Sequence, residues 1–178
     1  VRPGGVIAFV TSRYTMDSKN MDARKYIAQR AELLGAIRLP NNAFKANAGT
    51  EVVSDIIFLQ KRDHPIDIVP DWVHLNTTPD GFTMNSYFVE HPEMVLGELT
   101  TESTQYGKED LTVRPHDGVE LSELLREAVT HIEGTYTPVE LTEDVESQEK
   151  EQVTIPARPD VKNFSYTVVD GEVYFREN

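Results

Sequence analysis

The chain has 178 residues, 17 Lys plus Arg against 30 Asp plus Glu, a formal net charge of −13, 39% hydrophobic residues and no cysteine. That size suits one domain or one and a fraction, and the composition is that of a folded soluble protein rather than a disordered one. The lack of cysteine excludes a disulfide framework, thiolate metal centres and a Cys nucleophile; no apolar run approaches the roughly 18 residues of a membrane helix and no basic-then-apolar leader is seen, so a cytoplasmic location is expected.

The charge is unevenly spread. Residues 1 to 62 hold 10 basic and 5 acidic side chains, and residues 63 to 178 hold 7 and 25. The basic first third suits a polyanion and the remainder repels one, unless the two segments merely carry different solvated surfaces.

Taken in order, Pro3-Gly4-Gly5 leads into Val6-Ile7-Ala8-Phe9-Val10, an unbroken apolar run of the kind buried on both faces of a parallel sheet. A central strand so placed needs neighbours from elsewhere, and a chain cut inside a domain is expected. Residues 11 to 20 form a polar loop with Asp17, Ser18 and Asn20 as candidate helix caps. Ala23, Tyr26, Ile27, Arg30, Ala31 and Leu34 then recur at helical spacing, with Arg24, Lys25, Gln29 and Glu32 on the other face and Gly35 as the stop. Ala36-Ile37-Arg38-Leu39 reads as a second strand stopped by Pro40, and Val52 to Leu59 as a third, after a loop over 41 to 50. The first two strands fit a βαβ crossover; the third, reached without a helix, is expected to return antiparallel. Asp55 interrupts this third strand, and either an edge position or a pair with Arg38 on a neighbouring strand accommodates it.

From Asp63 the pattern changes. A short strand is expected within Ile66 to Leu75, a turn at Thr77 to Gly81, a short helix over Asn85 to His91, and short strands at Met94 to Gly97 and Leu111 to Val113 flanking Tyr106-Gly107. Leu121, Leu124, Leu125, Ala128, Val129 and Ile132 mark a helix over about 119 to 133, with Asp117 and Glu120 at capping-box spacing and Gly134 at its end. Residues 138 to 160 are acidic and lack aromatics, a linker composition. Phe164 to Val169, Asp170-Gly171 and Glu172 to Phe175 read as a β-hairpin. Four segments result: 1 to 62, an acidic α+β extension over 63 to 137, the linker over 138 to 160, and the hairpin over 161 to 178.

Catalytic signatures are sparse. The five histidines stand alone, without HxH or HExxH pairing, no GxSxG occurs, and Lys45 to Thr50 lacks the Walker spacing and reads as a flexible loop. No metal site and no catalytic residue is assigned.

One ordered pattern remains: Pro3-Gly4-Gly5-Val6-Ile7-Ala8-Phe9-Val10-Thr11, the helix through Arg30, Ile37-Arg38-Leu39-Pro40-Asn41-Asn42-Ala43-Phe44, and Asp55-Ile56-Ile57-Phe58-Leu59-Gln60-Lys61. Over residues 1 to 62 this resembles the second half of the catalytic domain of amino-group (N6-adenine) DNA methyltransferases, including the type I modification subunits of restriction-modification systems. Met84 to Phe88, His91 to Gly97 and Tyr166 to Glu177 look like the region joining methylase to helicase-like modules in very large proteins of bacterial mobile elements. The resemblance implies an α/β fold, with the last strands of a Rossmann-like methyltransferase sheet, the final one antiparallel, followed by a small α+β extension and a C-terminal β-hairpin.

It also implies a function: methyl transfer from S-adenosylmethionine to adenine N6 in DNA by a parent protein of which this is a fragment, inactive alone. The glycine-rich cofactor loop and the Asn/Asp-Pro-Pro-aromatic motif occur nowhere in the 178 residues, so no cofactor is expected on this fragment. Phe44 matches the aromatic that stacks on the flipped-out adenine, a role a loop-borne ring can fill; folding back as a loop anchor is its alternative. Asn41, Asn42, Lys45 and Asn47 are candidates for base or phosphate contact. Thr11, Ser12 and Arg13 sit at the carboxyl end of the first strand, where open α/β sheets bind ligands. Expected partners are DNA, an upstream cofactor-binding half and a downstream helicase-like region, with no membrane. A non-catalytic interaction module joining methylase to helicase-like domain is the alternative.

Overall fold

The structure, a computed structural model, describes residues 1–103, 107–135, 155–156, 159–170 and 172–176. The expected linker over 138 to 160 lies almost wholly outside these, as do Tyr106 and Gly171. Val1–Val139 form one compact unit and Glu140–Asn178 another, so the extension beyond residue 62 packs in the same unit as the segment before it.

The first unit starts with β1 (Val6–Ser12), α1 (Tyr14–Asp17), α2 (Asp22–Arg30), β2 (Ala31–Arg38), α3 (Lys45–Ala48) and β3 (Ser54–Lys61). Its main sheet has the order β1-β3-β2. β3 is antiparallel to both neighbours, pairing Val6 with Gln60 through Ser12 with Ser54 on one side, and Ala31 with Lys61 through Arg38 with Asp55 on the other. β1 and β2 therefore run the same way, and the expected antiparallel return of the third strand is present. Asp55 is paired rather than at an edge, directly opposite Arg38.

Two expectations near the start are corrected. β1 is an edge strand whose exposure alternates: Ile7 and Phe9 pack toward the core, while Val6 (49%) and Val10 (54%) are exposed. An apolar run read as two-sided burial has one covered face here, because side chains alternate along a strand. The helix ends at Arg30, not Gly35, since Ala31 is already extended and bonded into the ladder with β3. Sheet pairing overrides a periodicity that Ala31 and Leu34 happened to continue. Gly35 instead marks a register shift within β2; a Cβ there would stand 2.5 Å from Ile132 Cδ1 and 3.0 Å from the Tyr87 hydroxyl. Arg24, placed on the polar face by spacing, is fully buried, donating to the carbonyls of Val73 (2.8 Å), Ser18 (2.8 Å) and Thr15 (3.3 Å).

The rest of this unit comprises a 3₁₀ turn (Asp71–Val73), β4 (Leu75–Thr77), β5 (Thr83–Asn85), α4 (Ser86–Glu90), a second 3₁₀ turn (Pro92–Met94), β6 (Glu98–Ser103), β7 (Glu109–Arg114) and α5 (Leu121–Val129). β4 pairs with β5 and β6 with β7, each antiparallel. The strand expected within Ile66 to Leu75 only begins at Leu75. Met94 to Gly97 is a turn and a single parallel bridge from Val95 to Arg38, with Leu96 N–H donating to Arg38 C=O (2.9 Å). α5 is shorter than 119 to 133, and its N-cap Glu120 makes no side-chain cap bond, so the capping box does not form. Asn20 does not cap either: the N-cap of α2 is Met21, without a side-chain cap bond, and Asn20 just before it closes a turn, its Oδ1 accepting from Asp22 N–H at 2.8 Å. Ile37, Ile57, Phe88, Met94, Val113 and Ala128 share one buried core, against which Leu121, Leu124 and Leu125 of α5 pack.

In the second unit β8 (Ser165–Val169) pairs with β9 (Glu172–Arg176), as the Asp-Gly turn predicts, and Asp170 takes φ 53°. Among the described residues no helix is long and apolar enough to cross a membrane. The fold is thus mixed α/β, with several small antiparallel sheets and a C-terminal hairpin.

Candidate functional site

The ladder registers place the candidate residues at one end of the main sheet. Arg13 N–H donates to Val53 C=O (3.2 Å) and Leu39 N–H to Ser54 C=O (2.8 Å), so the end of β1, the end of β2 and the start of β3 meet there. The loop carrying α3 leaves from the same end. Thr11, Ser12 and Arg13 therefore share it with Asn41, Asn42, Phe44, Lys45 and Asn47.

Within that cluster the side chains divide. Asn42, Lys45 and Asn47 are exposed, and Lys45 pairs with Glu51 at the surface. Phe44 is half-buried against the core. Asn41 is tied to β7: its N–H donates to Val113 C=O (2.8 Å) and its Nδ2 to Thr112 Oγ1 (3.2 Å). Arg13 is buried and turned to carboxylates, Asp17 at 3.2 Å and Asp110 of β7. Tyr14 completes this contact, its hydroxyl donating to Asp110 Oδ2 at 2.5 Å while the Arg13 guanidinium lies 4.3 Å from its ring. β7 thus bridges both candidate segments. None of three cavities in this unit, of about 840, 340 and 570 Å³, is lined by Arg13 or by the loop from Asn41 to Asn47.

Beneath the site lies a closed ion cluster around Arg38. Its Nε and Nη2 donate to Asp55 (2.8 and 2.9 Å), and its Nη1 and Nη2 to Asp17 (2.8 and 2.9 Å). The fifth N–H points at Met84 Sδ (3.9 Å), and the guanidinium lies 4.3 Å from the Phe88 ring centroid. Every donor of the guanidinium is used, in two bidentate forks, the strongest geometry such pairs adopt. Asp17 also accepts from Asn85 N–H (2.9 Å), and Asn85 Nδ2 donates to Met16 C=O and Trp72 C=O, both 2.8 Å. No described buried side-chain polar atom lacks a hydrogen-bond partner.

The electrostatics follow from this geometry. Burial acts to lower the Arg38 pKa, but Asp55 and Asp17 outweigh it, and the guanidinium titrates above its ordinary value. Burial raises Asp55, against the pull of Arg38; with both carboxylate oxygens accepting from the guanidinium, the pair is ionic. At Asp110 burial acts upward, and hydrogen bonds from Tyr14 and Arg13 overcome it, holding the carboxyl below its usual value.

In the sequence, pairing with Arg38 is one of two ways to accommodate Asp55, beside an edge position, and Asp17 bears only the mark of a helix cap, so its place as third member of the cluster is a finding of the structure. Asp110 carried no signal: it stands 97 residues from Arg13 in the chain.

The chain is similar to Defense against restriction protein B of Escherichia phage P1, 35% identical over 69 residues. That stretch is 38% of this chain and 3% of the phage protein, so the chain matches a very small part of that relative. No protein-family model matches, and no solved structure matches.

Proposed function

We propose that residues 1 to 62 form the distal part of the catalytic domain of a DNA adenine N6-methyltransferase, within a large methylase/helicase-like protein of a bacterial mobile element. The observation that carries this reading is the sheet: a strand, a helix, a strand running the same way, and a final strand antiparallel to both. This is the order of the pGG-strand, LP-x-x-x-F and F-L-x-K segments in that enzyme class. The outer edge of β1, with Val6 and Val10 exposed beside it, suits pairing with an upstream part of the same sheet. Similarity to a phage protein named for defence against restriction is in keeping with chemistry on DNA.

In the parent the methyl group would come from S-adenosylmethionine. The residues ending β1 do not fit that group, since Arg13 is closed onto Asp17 and Asp110 with Tyr14 against it. Cofactor binding is therefore assigned to the upstream part of the parent protein. Phe44, half-buried at this sheet end, is the candidate support for a flipped base, while Lys45, Asn42 and Asn47 supply exposed donors for phosphate or base. Asn41, bound to β7, positions the loop, and Arg13 reaches DNA only by leaving its carboxylates.

Stacking of a base on an aromatic is worth about 1–3 kcal/mol. In the parent protein Phe44→Ala is expected to weaken binding or methylation of adenine-containing duplex about tenfold. Unchanged rate and affinity would remove the assigned role, and lost stability with unchanged binding would make Phe44 a loop anchor. Titration of the 178-residue chain with S-adenosylmethionine is expected to show no specific binding; micromolar affinity would overturn the division of labour. A joining module is a second reading for residues 63 to 137, favoured by the grip of β7 on both Arg13 and Asn41.

A further inference from the structure

A cavity of about 570 Å³ opens on the first unit, away from the sheet end just described, where β2, the Asp71–Val73 turn, α4 and the segment after α5 meet. Its walls include Leu33, Trp72, Tyr87 and Met94. The Tyr87 ring is held in place: His91 lies tilted at 37° against it with ring centroids 4.6 Å apart, and Phe88 meets it edge-on at 5.4 Å. An aromatic wall fixed before binding loses little freedom when a ligand arrives.

The rim has one sign of charge. Asp71, Glu90 and Glu133 line the cavity and are exposed, and their carboxylates make no hydrogen bond or ion pair with any described residue. Glu93 is taken by His91 (3.3 Å). No Lys or Arg lines the cavity. The unengaged carboxylates are therefore not satisfied within the fold, and the aromatic faces beside them carry the negative quadrupole that attracts cations. Residues 63 to 135, which supply most of the lining, hold 15 acidic and 3 basic side chains, so the surrounding field has the same sign. An apolar floor with a negative rim suits a side chain that is apolar along its stem and cationic at its tip.

We propose that this groove binds a basic peptide segment, seating a Lys or Arg stem against Trp72 and Tyr87 with the charge met by Asp71, Glu90 and Glu133. The inference does not depend on the methyltransferase reading. The partner is a protein surface or tail rich in Lys or Arg, and the size of the cavity, within the range of ligand sites, admits one such side chain with its flanking backbone.

Trp72 is the chain's single tryptophan, so intrinsic fluorescence reports on the site directly. The full chain would be titrated with an end-blocked pentalysine peptide, its Nε-acetylated counterpart, and spermine. A saturable change with pentalysine, weakened by salt and absent with the acetylated peptide, is expected. Glu90→Gln with Glu133→Gln is expected to weaken binding at least fivefold, while Asp117→Asn with Glu123→Gln, away from the groove, leaves it within twofold; far-UV circular dichroism checks that both pairs fold. No saturable change, equal binding of the acetylated peptide, or equal weakening by the two pairs would overturn the proposal. Saturation by spermine but not by the peptide would assign the groove to a small polyamine and overturn it as well.

Discussion

Replacing Arg38 by Met tests the reading of the buried cluster most directly. The change keeps an unbranched apolar side chain against Phe88 but removes all four N–H to carboxylate bonds that hold Asp17 and Asp55. Asp55 is then left fully buried with a charge and no hydrogen-bonded cation, only the more distant field of Arg13, whereas Asp17 keeps Arg13 and the Asn85 N–H. Breaking a buried pair from one side costs about 3–5 kcal/mol. For a unit of this size that lowers the melting temperature by on the order of 10 °C. The deficit also has a pH signature. Without Arg38, burial raises the Asp55 pKa still further above its unfolded value of about 4. A raised folded pKa contributes stability that is present below the unfolded pKa and lost as pH rises through the folded one, so the variant recovers in mild acid relative to wild type. Restoring neutrality with Arg38→Met and Asp55→Leu together is expected to recover at least half of the loss, since an apolar replacement of a buried ion pair is often neutral. Urea denaturation of the three proteins at pH 5 and pH 8 provides the comparison. A loss under about 1 kcal/mol for the single variant, or a deficit that does not shrink in acid, would refute the account of Arg38 as the main compensation for Asp55.

The remaining predictions concern the cluster's neighbours. Asn85→Ala removes the cap bond to Tyr87 N–H (3.0 Å) and two amide donations to buried carbonyls; at about 0.5–1.5 kcal/mol per bond, a loss of about 2–4 kcal/mol is expected in urea unfolding, and less than about 1 would show that water replaces them. Asp110→Asn is expected to lower stability above about pH 5 and to have less effect in acid, because a depressed carboxyl pKa contributes stability that is lost as pH falls through the folded value. A gap between wild type and variant that stays constant from pH 3 to pH 8 would argue against an ionic Arg13–Asp110 contact.

Much of the local structure was legible in sequence because it rests on short-range chemistry. Asp170-Gly171 between two alternating strands dictates the hairpin, and Asn85 announces α4. A connection over 41 to 50 read as a loop without a helix points to an antiparallel β3; the antiparallel return is present, although that loop carries the single-turn helix α3 (Lys45–Ala48). An isolated Asp in an apolar strand narrows the choice to an edge position or a pair with Arg38, and the ladder decides for the pair. What was illegible depends on pairing at a distance. Ala31 and Leu34 satisfy a helical period, and only the ladder with Lys61 and its neighbours assigns them to a strand. Arg24 looks like a surface residue until the carbonyls of Thr15, Ser18 and Val73 are brought around it. The candidate site shows the same limit: its residues share one end of the sheet as the order of segments suggests, but the covering strand β7 and its Asp110 carry no mark in the sequence.

The order β1-β3-β2 bears on how the chain acquires its shape during synthesis. β1 and β2 share no ladder with each other, so each waits for residues 54 to 61 before gaining its hydrogen-bonded partner in this sheet. As the chain leaves the ribosome from its amino end, the earlier strands emerge with unpaired edges, and the arrival of β3 closes both ladders together. That late arrival makes β3 the keystone of assembly: a lesion there opens one edge on β1 and one on β2, each free to pair with another chain, rather than leaving a sheet short by one.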